Sequence, residues 1–529
     1  MYARSASIGL KGMEGYIVQV EVRASIGTDS IIIAGLPDAS VKESKERVAA
    51  ALHALGYSLS GQKIVIHLSP AEQKKNGPMF DLAMAVSTLI SLKGLDVHIP
   101  DSTAFIGALS LDGRVQPVEG MLPGVLSAKK LGIKKLYMPY DEKLPELEFR
   151  EMGIIYVTSL EDVIKHLNGQ ELIQLLPEVM KEESPVIYND FNKIAGQSFA
   201  KYALEVAAAG EHHLFMTGPP GCGKSLLAET FPSIMPPLSK EAQLEMISLY
   251  QLSGSSWNQA EVPPFRHPHH SASSVSIIGG GQYPRPGEVS LAHRGVLFLD
   301  EMAEFTRKTL DMMRQPLESG RVSISRTQAS VTYPASFILI GAMNPCPCGY
   351  ANSSSRYCTC TLKQITAYQN KLSGPLRDRF DINLSLHPIR LKSISEENTD
   401  SSSMIRSRVE KARSRQYERY GKETGNGKVS YAELLNSSPL TPEQQRNLQH
   451  ISIKKNWSNR AHIKIIRLAR TVSDLQGRKD ISDQSIWEAI KLNSSPEVGR
   501  KRDGSLMIKG GDFAYCIKSR DRYLIRSED

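Results

Sequence analysis

Short, nearly continuous apolar runs recur through the middle of the chain. The runs are HLFMT at 213–217, VLFL at 296–299 and SFILIGAM at 336–343. Runs of this length without polar alternation are typical of strands in a parallel sheet, whose two faces are both covered. The pattern therefore predicts an α/β core, in which the polar residues that follow the runs lie along one sheet edge.

Alternating and helical patterns predict further elements around this core. The alternation of Val322, Ile324 and Val331 around RTQA predicts a β-hairpin over 321–334. Apolar residues at helical spacing predict two helices nearer the C-terminus, and Ser458 is the expected N-cap of the second. The spaced residues are Ile405, Val409 and Ala412 in the first helix, and Ile463, Ile466 and Leu468 in the second. The first helix has a basic outer face, which we assign to solvent, with nucleic-acid contact as the alternative.

Composition places the chain among soluble globular proteins. It has 529 residues, of which 41% are hydrophobic and 23% charged. A chain of this length exceeds one hydrophobic core, which predicts about two to four domains. The net charge of +8 permits a polyanionic partner without requiring one. We find no apolar run of about 18 residues and no signal-peptide pattern, so we expect a cytoplasmic protein without a membrane span.

The most specific local signal is GPPGCGKS at 218–225, directly after the first apolar run. It fits the phosphate-binding loop G-x-x-x-x-G-K-[ST], in which glycines let backbone N–H groups curl around a phosphate. Lys224 is predicted to neutralise the β- and γ-phosphates, and Ser225 to bind Mg²⁺. The nucleotide-binding residues that the motif predicts are Gly218, Pro219, Pro220, Gly221, Cys222, Gly223, Lys224, Ser225 and Leu226.

Polar residues after the other two runs supply further groups for hydrolysis. Asp300 and Glu301 follow the run at 296–299, and Asn344 follows the run at 336–343. Behind a phosphate-binding loop, Asp300 is predicted to support Mg²⁺ and Glu301 to polarise the attacking water. The Asn344 amide is predicted to position that water or to sense the γ-phosphate. For the acidic pair alone, a solvated turn is the alternative.

These strands resemble those of AAA+ ATPases, and longer stretches resemble one family closely. The stretches are DFNKIAGQSFAKYALEVAAAGEHHLFMTGPPGCGKS, RHPHHSASSVSIIGGGQYPRPGEVSLAHRGVLFLDE and GRVSISRTQASVTYPASFILIGAMNPCPCGY. They look like the magnesium chelatase-like ComM/YifB family. The resemblance implies a homo-hexameric ring that hydrolyses ATP with Mg²⁺ and drives branch migration of DNA during natural transformation. A recombinase is a possible further partner.

The resemblance also implies two arginines that act on the nucleotide, one as a finger and one as a sensor in the lid. The stretch LSGPLRDRFDINL at 372–384 resembles the arginine-finger region of related helicases and assigns that role to Arg379. Arg460, near the start of the helix capped by Ser458, is assigned as the sensor. The alternatives are Arg377 for the finger, Arg467 or Arg470 for the sensor, and for Arg379 a surface pair with Asp378 or Asp381.

The family resemblance sets the domain boundaries. Residues 1–169 resemble the family's Lon-protease-like domain, an α/β fold of the ribosomal-protein-S5 type, and 170–190 form a linker. The AAA+ α/β core covers 191–390, the helical lid 391–496 and a C-terminal tail 497–529. In the Lon proteases a serine and a lysine occupy the positions that here hold Met79 and Leu122. Because neither side chain can act as a nucleophile or general base, we predict no peptidase activity and an assembly or DNA-contacting role.

Two insertions in the predicted core bear on the substrate. Asp300 lies 75 positions after Ser225, more than a plain crossover needs, and the surplus includes the glycine-rich IIGGGQYPRPGE at 277–288. In the family this insertion faces the ring pore. Arg285 in it, and Arg326 near the hairpin tip, are candidate contacts for the phosphates of single-stranded or branched DNA, and structural turns are the alternative.

Four of the six cysteines lie within fifteen residues. Cys346, Cys348, Cys358 and Cys360 have the spacing C-x-C-x₉-C-x-C, which predicts a structural Zn²⁺ site, with unligated thiols as the alternative. A metal here would hold the loop between Asn344 and the arginine-finger segment. The histidines of RHPHHS, at 267, 269 and 270, have no carboxylate partner nearby in sequence, so we assign them to loop packing rather than to a metal site.

Three classes of function remain at this point. An ATP-driven DNA motor is favoured by the resemblance along the chain. A magnesium-chelatase motor subunit has a related core, but the Lon-like domain counts against it. A nucleotide-dependent scaffold without a DNA role is the third.

Overall fold

The computed structural model describes residues 2–142, 144–145, 149–172, 188–255, 257, 261–281, 284–325, 330–351, 356–388 and 400–494, and the backbone at 497–500 and 506–509. The predicted DNA contact Arg326, most of the predicted linker and the first residues of the predicted lid, up to 399, lie outside these residues. So does most of the predicted tail. No helix in the described part of the chain is long and apolar enough to cross a membrane.

The first domain consists of nine strands and four helices. The strands are β1 (Tyr2–Lys11), β2 (Glu14–Ile26), β3 (Ser30–Ala34), β4 (Gln62–Ser69), β5 (Thr103–Phe105), β6 (Ala108–Leu109), β7 (Val115–Gln116), β8 (Lys135–Met138) and β9 (Gly153–Tyr156). The helices are α1 (Ala39–Ala54), α2 (Asp81–Ser91), α3 (Met121–Lys130) and α4 (Leu160–Leu167). Seven strands form a mixed sheet in the order β3-β4-β2-β1-β5-β8-β9.

The core of this domain lies between the sheet and α2. Val18, Val20 and Val22 of β2 are fully buried at alternate positions, as the period of a strand requires. Helix α2 is buried on nearly all sides, and most of its residues are apolar. Its one carboxylate, Asp81, is neutralised by Arg47, whose Nε lies 2.6 Å from the carboxylate oxygen. Helix α2 is thus packed against the sheet in the core of this α/β domain.

The second domain is built on a parallel sheet. Its strands are β10 (Leu214–Thr217), β11 (Phe265–Arg266), β12 (Gly279–Gly280), β13 (Arg285–Pro286), β14 (Val296–Leu299), β15 (Arg321–Ser325), β16 (Ser330–Pro334), β17 (Ile338–Met343) and β18 (Ile382–Ser385). Five of them form the core sheet, in the order β11-β14-β17-β10-β18, and every pair in it is parallel. The apolar run at 296–299 is β14, whose residues are all buried. Continuous burial explains why the run does not alternate.

Helices surround this sheet, and two hairpins extend from it. The helices are α5 (Ser198–Gly210), α6 (Lys224–Thr230), α7 (Lys240–Ser253), α8 (Ser274–Ile278), α9 (Glu288–Leu291), α10 (Arg307–Met312), α11 (Arg314–Ser319), α12 (Leu362–Gln369) and α13 (Gly374–Arg377). Strands β12 and β13 pair within the glycine-rich insertion, and β15 pairs with β16 where the alternation predicts a hairpin. Val322, Ile324 and Val331 all face the core.

The third unit is helical. It contains α14 (Ser402–Tyr420), α15 (Tyr431–Ser437), α16 (Pro442–Lys455), α17 (Asn459–Leu475) and α18 (Asp483–Asn493), followed by the paired strands β19 (Glu497–Arg500) and β20 (Leu506–Lys509). Ser458 caps α17, since its side chain accepts a hydrogen bond from the Ala461 N–H at 3.2 Å. The apolar stripe of α14 packs into the core as its spacing predicts.

The basic face of α14 is not the solvated surface that the sequence suggests. Arginines along it hold the helix against the AAA+ core. Their bonds run from Arg406 to the carbonyl of Ser233 at 2.6 Å, from Arg408 to the carboxylate of Glu205 at 2.6 Å, and from Arg413 to the carbonyl of Ala208 at 2.7 Å. Guanidinium groups suit this role because their planar donors bind two oxygens at once. The prediction of a solvated face is therefore wrong for Arg408 and Arg413, whereas Lys411 on the same helix is exposed.

The first domain packs against helix α7 of the second domain. Ile247 of α7 is buried in the hydrophobic cluster that contains Met79 and Leu122. The Leu122 N–H donates to the side-chain oxygen of Gln251, also on α7, at 3.2 Å. These contacts bury the two positions at which the resemblance implies a lost serine and lysine. Met79 and Leu122 are thus part of an internal interface.

We expect Ile247→Ala to weaken this interface. Removing a buried isoleucine side chain costs about 2–4 kcal/mol through lost contacts and the cavity left behind. Denaturant unfolding of the full chain should show a lower midpoint, and hydrogen exchange should quicken in α3, on the other side of the contact. Ile453→Ala, at a site that is 75% exposed, is the control and should shift stability by less than about 0.5 kcal/mol. Equal behaviour of the two variants would contradict the docking.

Candidate nucleotide site

The phosphate-binding loop lies between β10 and α6, at the carboxyl edge of the core sheet. Gly221 and Gly223 have φ angles of +75° and +92°, and no atom lies within 4 Å of the place that a Cβ on either residue would take. Only glycine adopts such angles without strain, so the two glycines permit the curl of the backbone. The open space around them leaves room for a phosphate.

The ammonium of Lys224 is held at this loop by neutral oxygens. Its Nζ donates to the carbonyls of Gly218 at 2.8 Å and Pro219 at 3.1 Å, and to Oδ1 of Asn344 at 3.0 Å. Lys224 is buried, and no carboxylate among the described residues forms an ion pair with it. A buried cation without a counter-charge favours an anionic ligand. Lys224 and Asn344, predicted from two separate strands, therefore lie together.

Ser225 and Asp300 also meet at this edge. The Ser225 hydroxyl donates to Oδ2 of Asp300 at 2.6 Å, and the N–H of Glu301 donates to Oδ1 at 2.8 Å. A hydroxyl and a carboxylate that lie this close offer the hard oxygen ligands that Mg²⁺ prefers. These residues fit the metal that a phosphate-binding loop implies.

Glu301 lies near a histidine that the sequence analysis assigned to loop packing. Its carboxylate oxygen is 3.7 Å from Nδ1 of His270, and the Glu301 side chain is 54% exposed. His270 follows β11, which pairs in parallel with β14, so both side chains lie at the same sheet edge. The strand pattern could not reveal this, because β11 is only two residues long. His270 can therefore orient Glu301 or change its charge environment.

The two assigned arginines lie together, but at the opposite edge of the sheet. Arg379 precedes β18, whereas the phosphate-binding loop follows β10, its parallel neighbour. One oxygen of the Glu318 carboxylate is 2.9 Å from Nη2 of Arg379, and the other is 3.0 Å from Nη2 of Arg460. The core and the lid thus bring both guanidinium groups to one carboxylate. Neither arginine serves its own chain's phosphate-binding loop in this arrangement.

The alternative arginines have partners within the fold. Arg377 donates to the Gln369 carbonyl, and Arg467 donates to the Val429 carbonyl. Arg470 is fully buried beside Asp474, at 3.0 Å. Arg467 and Arg470 are held within the fold, so the geometry favours Arg460 over both of them as the sensor. Arg377 is exposed and stays the alternative to Arg379 for the finger.

A cleft of about 1050 Å³ opens between the core and the lid at this second edge. Arg379, Arg460 and Lys428 are among the cationic residues that line it, and Glu211 is among the acidic ones. Burial lowers the pKa of Lys428 to about 8, against the pull of Glu211, 3.8 Å away. The charged side chains that line the cleft therefore largely pair with one another.

The four clustered cysteines converge in space. Their sulfur atoms all lie within 4.8 Å of one another, and this is the one cluster of potential metal ligands found among the described residues. Cys346 is 3.3 Å from Cys348 and 3.8 Å from Cys358, sulfur to sulfur. A tetrahedral zinc with bonds of about 2.3 Å needs sulfurs about 3.8 Å apart, so the set fits this metal. The three histidines belong to no such cluster.

The cysteine loop contacts the phosphate-binding loop directly. Gly349 has a φ of +83°, and a Cβ at this position would lie 2.6 Å from Cδ of Pro220. The N–H of Ala351 donates to the Cys346 sulfur at 3.2 Å, the kind of bond that orients a ligand of a metal. The shape of the cysteine loop therefore constrains the nucleotide pocket.

The predicted DNA contacts are less well defined. Arg285 begins β13, its side chain is 58% exposed, and it lies 3.5 Å from the carboxylate of Glu119 in the first domain. Arg326 lies outside the described residues. Arg285 is thus accessible but already paired, and its contact with DNA stays a prediction.

Models of the magnesium chelatase family match three stretches of the chain. The model described as magnesium chelatase, subunit ChlI, matches residues 190–394. The model for subunit ChlI of Mg-chelatase matches 20–142, and the model for the ChlI C-terminal region matches 399–493. The matches fall on the first domain, the core and the lid.

Individual proteins match over most of the chain. Competence protein ComM of Haemophilus influenzae is 36% identical over 492 residues, covering 90% of this chain and 95% of its own. Protein YifB of Salmonella typhimurium is 37% identical over 491 residues, covering 91% and 95%. The Lon protease of Lachnoclostridium phytofermentans is 31% identical over 165 residues, 29% of this chain and 20% of the protease. With a Lon-like α/β domain before an AAA+ core and lid, the chain belongs to the ComM/YifB family of magnesium chelatase-like AAA+ ATPases.

Proposed function

We propose that this chain is the subunit of a hexameric, ATP-driven ring that moves branch points in DNA, in the cytoplasm, and so promotes recombination of transforming DNA. The observation that carries the proposal is the division of the site between two sheet edges. Lys224, Ser225, Asp300 and Glu301 lie at one edge, and Arg379 lies at the other. A second copy of the chain is needed to bring the two sets together.

The chain's own residues divide the work of hydrolysis. Lys224 exchanges its carbonyl partners for phosphate oxygens. Ser225 and Asp300 would hold Mg²⁺, which would supply positive charge against the phosphates. Glu301 polarises the attacking water, and Asn344, already bonded to Lys224, orients it. Positioning and charge stabilisation account for most of the catalysis in phosphoryl transfer, and both come from fixed side chains here.

Arg379 and Arg460 complete the neighbour's site. A guanidinium that reaches the γ-phosphate in trans stabilises transition-state charge and makes hydrolysis depend on the contact between subunits. Arg379 comes from the core and Arg460 from the lid. Movement of the lid would therefore change the position of Arg460 at the neighbour's nucleotide.

The DNA part of the proposal rests on the family and on two projecting elements. The Haemophilus relative is named a competence protein, and the family resemblance implies branch migration with a recombinase as a possible partner. The elements are the β12–β13 insertion, which contains Arg285, and the β15–β16 hairpin, where the sequence predicts a DNA contact at Arg326. Contacts of cationic side chains with phosphates bind DNA without base selectivity.

Steady-state ATP hydrolysis tests the DNA role. We expect hydrolysis to rise when single-stranded or forked DNA is added, and Lys224→Ala to lower it by at least about a hundredfold, because a preorganised charge on the phosphates is lost. Lys165→Ala, at an exposed site in the first domain, is the control and should behave like the original protein.

Other outcomes of that measurement point to the other functions. A chelatase-type motor is the alternative that the magnesium chelatase models support. Stimulation of ATP hydrolysis by a metal-free porphyrin rather than by DNA would favour it. Lys224-dependent hydrolysis that responds to neither would favour a nucleotide-dependent scaffold.

Mixing two inactive variants tests the ring. Lys224→Ala and Arg379→Ala should each abolish most of the activity alone. A mixed ring contains interfaces where an intact phosphate-binding loop meets an intact Arg379, so mixing should restore a measurable fraction of the hydrolysis. Failure of every mixing ratio to restore activity, with both variants shown to assemble, would contradict a site shared between subunits.

We also propose that the four cysteines bind one structural Zn²⁺ ion. The ion would hold the loop that carries Gly349 against Pro220 and leads on toward the Arg379 segment. A thiolate set with this closeness supplies the closed tetrahedral ligation of structural zinc.

Metal analysis of protein purified without chelator tests this site. We expect about one zinc per chain, reduced to near zero in a Cys346→Ser, Cys358→Ser double variant, because two thiolates do not hold structural zinc. Binding of nucleotide should weaken together with the metal loss. The control is Cys516→Ser, which removes a thiol outside both the cluster and the phosphate-binding loop. Well under one zinc per chain in the unaltered protein would refute the site.

A further inference from the structure

Glu318 connects the two arginines that the sequence assigns to the nucleotide. It lies in α11 on the core, and its two carboxylate oxygens are 2.9 Å from Arg379 and 3.0 Å from Arg460. No motif in the sequence marks this residue. A single acidic side chain therefore joins an arginine of the core to an arginine of the lid. Glu318 and Arg460 are 142 positions apart in sequence.

The guanidinium of Arg379 is only partly satisfied by these contacts. Nη1 donates to the Pro375 carbonyl at 3.2 Å and Nη2 binds Glu318, while Nε has no hydrogen-bond partner among the described residues. The Arg379 side chain is 12% exposed and that of Glu318 is 60% exposed. The arginine is thus held firmly by the fold, whereas the carboxylate lies at the surface and can move away.

A carboxylate that bridges two guanidinium groups occupies the place of an oxyanion. Carboxylates and phosphates bind the same fork of arginine donors, and a γ-phosphate carries more charge and more acceptor oxygens than a carboxylate. Exposed ion pairs contribute little to stability, so a stronger anion can displace this one at small cost. The two anions compete for the same donors.

We infer that Glu318 is a positioning residue, which holds Arg379 and Arg460 in the place of a neighbour's γ-phosphate and is displaced by that phosphate when the ring forms. The inference rests on the proposed ring. It deepens that proposal by naming the group that keeps both arginines ordered while the neighbour's site is empty or holds a diphosphate. Because the γ-phosphate must displace the Glu318 carboxylate, assembly requires a higher nucleotide concentration.

The position of Glu318 ties this exchange to the hairpin. Helix α11 ends at Ser319, and after Gly320, with a φ of +65°, β15 begins at Arg321. The Ser319 hydroxyl donates to the Gln315 carbonyl at 2.9 Å and accepts from the N–H of Arg321 at 3.3 Å, which fixes the helix end to the strand. The exchange at Glu318 therefore takes place three positions before the hairpin begins.

Assembly of the full-length chain measures the competition without relying on hydrolysis. Sedimentation velocity gives the concentration of a non-hydrolysable ATP analogue at which half of the protein is oligomeric. We expect Glu318→Gln to lower this concentration by about three- to tenfold, the range for losing two partly exposed ion pairs. Glu318→Asp, which keeps the charge, should lie closer to the unaltered protein. Glu318→Ala should shift in the same direction as Glu318→Gln.

ADP separates competition from a merely structural effect. Because ADP has no γ-phosphate, Glu318→Gln should leave its assembly curve unchanged. Adding Arg379→Ala should remove the shift seen with the ATP analogue, and Glu161→Gln, at an exposed pair in the first domain, should cause none. Equal shifts with both nucleotides, or no shift with either, would refute the role of Glu318 alone. A chain that stays monomeric with the analogue would overturn the ring and this inference together.

Discussion

The direction of the parallel sheet is the constraint on which the site depends. All five core strands run the same way, so residues that follow strands collect at one edge and residues that precede them collect at the other. Lys224, Asp300 and Asn344 belong to the first group and Arg379 to the second. The distance between the two edges is a property of the fold, and no rotamer change can cross it. In the proposed ring, a hydrolytic site that includes Arg379 is assembled from two copies of the chain, so hydrolysis depends on the contact between subunits.

Each charged group of the site has an internal partner that a ligand can replace. Carbonyl and amide oxygens hold Lys224, the Asp300 carboxylate holds the Ser225 hydroxyl, and Glu318 holds two arginines. These bonds keep the side chains ordered near their working positions, so little conformational entropy remains to be lost when a ligand arrives. The partners differ in strength. Neutral oxygens around Lys224 compete weakly with phosphate, whereas Glu318 is a charged competitor, and this places the stronger barrier at the contact between subunits.

The parts of the structure that depend on local sequence could be predicted, and those that depend on long-range contacts could not. The phosphate-binding loop, the strand at 296–299, the hairpin and the cap at Ser458 follow from spacing within a few residues. Glu318 could not be found in this way, because its role comes from two arginines far away in sequence. His270 follows a two-residue strand that has no periodicity. The basic face of α14 looked solvated because the groups that bind its arginines come from the core.

The first domain is packed against the core. Met79 and Leu122 are buried in one cluster with Ile247 of α7, and the β1–β2 turn reaches the hairpin, where a Cβ on Gly12 would lie 2.4 Å from Cγ1 of Val331. Glycine is required there, because any side chain would force the turn and the hairpin apart. The domain thus contacts both elements that project from the core, the glycine-rich insertion and the hairpin. Since packed interiors transmit displacement rather than absorb it, a shift at the base of the hairpin must move the first domain or break a buried contact.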